Sequence, residues 1–281
     1  MIVGIIGAGT MGNGIAHIFS LYKNKVFLVD ISMDVLDNSY SIIKNNMDRQ
    51  CKKNIINNQK MEESLKNIHL STLIEDLKNC DLVIEAVRED FEIKSNVFKK
   101  LDTICKKETI FASNTSSISI TKLGKEVSRP KQLIGMHFMN PVPIMKLIEV
   151  INGEKTSEKT CNFIMELSRQ VDKIPIQCND SPGFVSNRIL MPMINEAAYC
   201  LMEGVGKVDD IDSIMKLGMG HPMGPLKLAD LIGIDVCVYI LNILYEGFND
   251  KKYKACPLLI DMIKHNKLGK KTKAGFYSYE I

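Results

Sequence analysis

His137 sits inside an otherwise apolar run, Leu133-Ile134-Gly135-Met136-His137-Phe138, and Glu149 inside the next, Lys146-Leu147-Ile148-Glu149-Val150-Ile151. A Pro-rich turn, Asn140-Pro141-Val142-Pro143, lies between them. If the two runs pair as neighbouring strands, the carboxylate can hold one imidazole nitrogen, which fixes the tautomer and presents the other nitrogen as a base. Such a pair suits removal of an alcohol proton while hydride leaves the same carbon. The spacing fits a structural ion pair equally well, and it leaves both readings open. A second polar constellation, Ser113-Asn114-Thr115-Ser116-Ser117, follows the apolar run that ends at Ala112. Ligands of open α/β sheets bind beyond the carboxyl ends of the strands. Five small polar residues there can hydrogen-bond a substrate oxygen and a nicotinamide, while one of them caps the helix that starts near residue 119.

The N-terminal stretch Ile2-Val3-Gly4-Ile5-Ile6-Gly7-Ala8-Gly9-Thr10-Met11-Gly12 reads as a buried strand running into G-x-G-x-x-G and an apolar helix. Gly7 allows the tight turn, Gly9 lets the backbone approach a pyrophosphate, and Gly12 lets helix and strand pack closely. The helix N-terminus offers N–H groups to an anion. Asp30 ends the next strand, 18 residues beyond Gly12, where it can accept hydrogen bonds from both ribose hydroxyls. It would repel a 2′-phosphate, so the cofactor expected is NAD rather than NADP.

These residues need a doubly wound sheet to hold them. Apolar runs at 2–6, 25–30, 82–87, 109–112, 133–138 and 146–151 are strand candidates, with helices at 11–21, 33–65 and 91–105 between them. The last two strands add an antiparallel or mixed edge. Near 180–184 the cluster Asn179-Asp180-Ser181-Pro182-Gly183 marks a boundary. Beyond it the chain reads as all-helical, over 184–203, 209–217, 225–245 and 256–266. The expected architecture is an α/β, Rossmann-like domain over 1–181 and a smaller helical domain over 182–281. The second is expected to serve the substrate and to pair two copies of the chain. Asn187, in its first helix, reads from spacing alone as a solvent-facing residue. Arg49-Gln50-Cys51-Lys52-Lys53 can meet a phosphorylated tail or be an ordinary charged surface, and Glu85, Arg88, Glu89 and Lys94 edge the cofactor cleft.

Composition narrows the class. With 281 residues, 45% hydrophobic and 25% charged, the chain is an ordinary globular one, and a net charge of +3 with dispersed basic residues gives no reason to expect nucleic acid. No apolar run approaches the roughly 18 residues of a membrane span. The N-terminal run lacks the basic flank of a signal peptide. Eight cysteines without a C-x-x-C pair, and five scattered histidines, argue for free thiols in a reducing cytoplasm and against a metal site.

Taken together, Gly7-Ala8-Gly9-Thr10-Met11-Gly12, Phe111-Ala112-Ser113-Asn114-Thr115-Ser116-Ser117, Gly135-Met136-His137-Phe138-Met139-Asn140-Pro141-Val142-Pro143, Asp180-Ser181-Pro182-Gly183-Phe184-Val185-Ser186-Asn187-Arg188 and Leu217-Gly218-Met219-Gly220-His221-Pro222-Met223-Gly224-Pro225 resemble the L-3-hydroxyacyl-CoA dehydrogenase family, especially its short bacterial 3-hydroxybutyryl-CoA members. The resemblance runs from Met1 to Gly275-Phe276-Tyr277. It implies that His137 is the general base in oxidation and the general acid in reduction, with Glu149 as its partner. It implies that Ser116 and Asn187 hydrogen-bond substrate oxygens, and that Gly7, Gly9, Thr10, Met11, Gly12, Asp30, Glu89, Lys94 and Asn114 serve NAD. Arg49 and Lys53 fall where relatives contact CoA. Relatives often carry Lys at the position of Arg49 and Asn at the position of Asp90, so neither contact carries over unchanged. The implied assembly is a homodimer.

Overall fold

The computed structural model describes residues 1–279. They divide into two compact units, Met1–Asp180 and from Ser181 onward. In the first, β1 (Ile2–Ile6), α1 (Thr10–Leu21), β2 (Lys25–Val29), α2 (Met33–Lys52), α3 (Asn58–Lys66), β3 (Ile68–Ser71), β4 (Leu82–Glu85), α4 (Phe91–Ile104), β5 (Ile110–Ser113), α5 (Ile120–Gly124), β6 (Leu133–Phe138), β7 (Leu147–Asn152), α6 (Glu158–Gln170) and β8 (Ile174–Asn179) follow one another. The sheet order is β3-β2-β1-β4-β5-β6-β7-β8. All neighbours from β3 to β6 are parallel; β7 runs antiparallel to β6, and β8 parallel to β7. This is the doubly wound, Rossmann-like sheet with a reversed edge.

Helices cover the central strands on both faces, so those strands are apolar on both sides. β4 and β6 are buried at every position. Val3, Ile5, Leu28, Ile84, Ile134 and Ile148 form one continuous core with Ile15 and Phe19 of α1 and Ile164 of α6. The strand-to-helix turn after β1 allows no larger residue at two positions: Gly7 has φ +97°, and a Cβ at Gly12 would fall 1.7 Å from the carbonyl oxygen of Gly7.

The second unit is helical: α7 (Ser186–Met202), α8 (Val208–Met219), α9 (Pro225–Ile232), α10 (Ile234–Phe248) and α11 (Pro257–Lys264). Its core joins Met191, Ile194, Cys237, Leu241, Leu244 and Leu259. Among the described residues no single helix is long and apolar enough to cross a membrane. No cluster of His, Cys, Asp and Glu among them could hold a metal ion. All eight cysteines are free. Burial pushes the thiols of Cys80 and Cys237 up to about 12.

Several elements differ from the expectation. The helix expected over 33–65 is two helices, because Asn54 takes a left-handed φ of +55° and Asn57 caps α3 by accepting from Lys60 N. The helix expected over 225–245 breaks at Gly233 (φ +108°), which bends α9 against α10 by 97°. The helix expected from 184 begins at Ser186, since Gly183 and Phe184 both take positive φ. β3 and β8 are additional strands at the two edges of the sheet. β8 tolerates Pro175 there and leaves Ile174 and Ile176 more than half exposed.

One buried polar residue ties two helices of the first unit. His17, fully buried on α1, places Nε2 3.1 Å from Gln50 Oε1 on α2. Burial drops its pKa to about 4, the Gln50 bond opposing and the nearby Lys173 assisting. Gln50 Oε1 can only accept, so the neutral imidazole donates through Nε2, and Nδ1 has no hydrogen-bond partner among the described residues. The folded state therefore holds a neutral ring that the unfolded chain protonates below about 6.5. The contribution is complete above that pH and is lost as the pH falls toward 4, on the order of 3 kcal/mol in all. Urea unfolding followed between pH 7 and 4 should show this slope, and His17→Asn should flatten it. An unchanged slope in the variant would mean that His17 does not drive the acid sensitivity.

Candidate active site

The carboxyl ends of β1 and β2 form the first part of the site. Gly7 N donates to Val29 O at 2.8 Å, locking the turn against the end of β2. α1 then starts at Gly9, an N-cap with no side-chain hydrogen bond, and a Cβ at Gly9 would meet nothing within 4 Å. An uncapped helix N-terminus with open space above its first residue fits a pyrophosphate. Asp30, just past β2, accepts from Ala8 N at 2.7 Å through Oδ2 and from Ile31 N at 2.8 Å through Oδ1. Each oxygen keeps acceptor capacity, so the fixed carboxylate suits a ribose diol and disfavours a phosphate. These residues fit a dinucleotide, and of the two nicotinamide forms they fit NAD.

The ends of β4 and β5 carry a buried charge cluster. Glu85, fully buried, accepts from Lys94 Nζ (2.6 Å), Val87 N (2.7 Å) and Ser113 Oγ (2.6 Å). Burial pushes its carboxyl above the ordinary range against the pull of these donors. Lys94, on α4 and 1% exposed, also lies 3.2 Å from Glu89 Oε2. Glu89 Oε1 in turn accepts from Thr115 Oγ1 (2.6 Å), Ser117 Oγ (2.8 Å), Ser116 N (3.0 Å) and Ser117 N (3.1 Å). Burial opposes the charge of Glu89, but Lys94 and these donors outweigh it and hold the carboxyl below its usual range. Glu89 and Lys94 thus meet beneath the 113–117 segment and organise it. The cap of α5 is Ser119, accepting from Lys122 N at 3.1 Å, and not one of the five residues before it. Thr115 Oγ1 instead accepts from Ser117 N and Ile118 N, closing the segment on itself. Asn114 Oδ1 accepts from Phe138 N at 3.0 Å, which stitches the end of β5 to the end of β6 and leaves the amide NH2 as its donor.

The third part is the reversed strand pair. The antiparallel register sets His137 directly opposite Glu149. His137 Nδ1 lies 2.7 Å from Glu149 Oε2, with the residues 8% and 4% exposed. The acceptor is a carboxylate, so Nδ1 carries the hydrogen and fixes the tautomer of the ring.

The remaining candidates lie elsewhere. Arg49 and Lys53 stand exposed at the C-terminal end of α2; Arg49 bonds to Asn46 Oδ1 and to Asn45 O. Asn187, in the first turn of α7 in the second unit, is 8% exposed and so is not the solvent-facing residue that spacing alone suggested. Asp180 lies in the 179–183 cluster that marks the domain boundary. Its Oδ2 accepts from Ser119 Oγ (2.6 Å) and Thr121 N (2.8 Å), holding the start of α5 across 59 to 61 residues of sequence. No local signal announces so distant a cap.

Comparison with known proteins gives a consistent picture. Residues 2–181 match the model of the 3-hydroxyacyl-CoA dehydrogenase NAD-binding domain, and 183–279 that of the 3-hydroxyacyl-CoA dehydrogenase C-terminal domain. A probable 3-hydroxybutyryl-CoA dehydrogenase of Deinococcus radiodurans is 49% identical over 98% of this chain and 99% of its own length. The 3-hydroxybutyryl-CoA dehydrogenase of Clostridioides difficile is 48% identical over 99% of both. The crystal structure of (S)-3-hydroxybutyryl-CoA dehydrogenase PaaH1 from Ralstonia eutropha superimposes with a TM-score of 0.97 at 45% identity, covering 100% of this chain and 99% of that one. Matched by both domain models in order and by full-length relatives at nearly half identity, the chain belongs to the 3-hydroxyacyl-CoA dehydrogenase family and is an NAD-dependent oxidoreductase.

Proposed function

We propose that the chain interconverts short-chain (S)-3-hydroxyacyl-CoA and 3-ketoacyl-CoA, with 3-hydroxybutyryl-CoA and acetoacetyl-CoA as the natural pair. The observation that carries this reading is the buried 2.7 Å contact between His137 Nδ1 and Glu149. It fixes the tautomer of the imidazole that this reading assigns to the 3-hydroxyl proton. The names of relatives at 48% and 49% identity support the acyl length. NAD, when bound, would supply the hydride acceptor for C3 of the substrate, and its reduced form the hydride donor.

The protein's own groups handle the proton and the geometry. In oxidation His137 Nε2 accepts the hydroxyl proton, and the imidazolium is stabilised by Glu149; in reduction the same nitrogen returns it. Ser116 and Asn187 hold the substrate oxygens. Gly7, Gly9, Thr10, Met11 and Gly12 receive the pyrophosphate, Asp30 the ribose, and Asn114 the nicotinamide side of the site. Glu89 and Lys94 act on the cofactor by shaping the 113–117 segment. Arg49 and Lys53 are the contacts proposed for CoA phosphates. The working form is a cytoplasmic homodimer joined through the second domain, whose α8 leaves Leu217 87% exposed.

Steady-state assay with acetoacetyl-CoA and NADH tests the reading. His137→Gln should lower kcat by roughly 100- to 10,000-fold while NADH binding, followed by fluorescence, stays within twofold. Near-wild-type turnover in this variant would remove His137 from the mechanism. Glu149→Gln keeps a hydrogen bond to Nδ1 but removes the counter-charge, and kcat should fall about 10- to 100-fold with KM for NADH unchanged. A shift in KM alone would instead assign Glu149 to binding.

A further inference from the structure

Lys173 is a buried cation that the proton-transfer scheme does not use. It precedes β8 and is only 5% exposed. Its Nζ donates to the carbonyl oxygen of Val142 and, at 2.8 Å, to that of Met145. Both carbonyls belong to the turn between β6 and β7, the strands that carry His137 and Glu149. The same turn rests on α1: a Cβ at Gly14 would fall 2.7 Å from Val142 Cβ and 3.5 Å from Pro143 Cδ. The turn is therefore tied by a single lysine head group and packs on the helix whose N-terminus faces the pyrophosphate position. Burial pulls that ammonium down to about 8, so it remains mostly protonated at neutral pH.

We propose that Lys173 is a positioning residue for the reaction. By holding the carbonyls of Val142 and Met145 it presses the β6–β7 turn onto α1 and so sets the His137–Glu149 pair at a fixed distance from the cofactor-binding helix. Hydride and proton leave neighbouring atoms, so the two halves of the site tolerate little misalignment; a displacement of about 1 Å can cost roughly 100-fold in rate. Removing the ammonium leaves two carbonyls without their donor, and the turn is no longer held on that side. The proposal rests on the assignment of His137 and Glu149 above.

The test is single-turnover reduction of saturating acetoacetyl-CoA by enzyme preloaded with NADH, with active sites counted by NADH fluorescence titration. A residue that only supports folding would lower the number of sites and leave the rate constant per site unchanged. Lys173→Met is expected to lower that rate constant at least tenfold, with the NADH dissociation constant within twofold of wild type. Gly14→Ala pushes the turn away from α1 with Lys173 intact, and it should lower the same rate constant. If Lys173→Met yields no folded protein, the Gly14→Ala result decides alone. A rate constant within twofold of wild type in folded Lys173→Met, or in Gly14→Ala when that variant decides, overturns the proposal. A wild-type enzyme that fails to oxidise NADH with acetoacetyl-CoA overturns the substrate reading instead.

Discussion

The reversal of strand direction at β7 is the constraint on which the site depends. In a wholly parallel sheet, neighbouring strands are joined by long crossovers, and two residues of one catalytic pair seldom lie close in sequence. Here a short turn joins β6 to β7, and the antiparallel register sets His137 and Glu149 face to face only 12 residues apart. The parallel strands before them point their carboxyl ends toward the same edge, where Gly9, Asp30 and Asn114 stand. One sheet thereby carries both constellations. Its parallel part ends in backbone N–H groups and a carboxylate that fit a dinucleotide, and its reversed pair sets an imidazole against a carboxylate.

Charge burial fixes the parts of this edge to one another. Lys94 bridges Glu85 and Glu89, and each carboxylate then organises a different segment. Glu85 holds Ser113 at the end of β5, and Glu89 gathers Thr115, Ser116 and Ser117. A buried cation between two acids is costly unless every lone pair finds a donor, and here the donors come from the loop that must be ordered. Asn114 adds a bond from β5 to β6, and Asp180 fixes the helix that follows. The polar network is more exacting than an apolar core, because it specifies direction as well as proximity.

Much of this was legible in the residues. The strand-turn-helix carrying the glycine fingerprint and Asp30 could be read from local spacing, since the turn after β1 leaves room for nothing larger at Gly7 or Gly12. The His137–Glu149 pairing could be posed from two apolar runs and a Pro-rich turn, but only the register decides it. What could not be read was non-local or at the margins. β3 and β8 are edge strands whose mixed exposure lacks a clean period. Gly233 sits within a pattern that is apolar on both sides, so the break between α9 and α10 has no periodic signature. Lys173, Asp180 and the buried side of Asn187 depend on contacts that sequence neighbours do not reveal.

The eight free cysteines carry a consequence of their own. Burial holds Cys80 and Cys237 as neutral thiols at any physiological pH, and the thiolate is the form that alkylating and oxidising agents attack. In the native chain these sulfurs are therefore packing atoms, chemically silent. They become nucleophiles only when the segments around them open, so their modification would measure the opening of β4's flank and of the helical core rather than the chemistry of the surface.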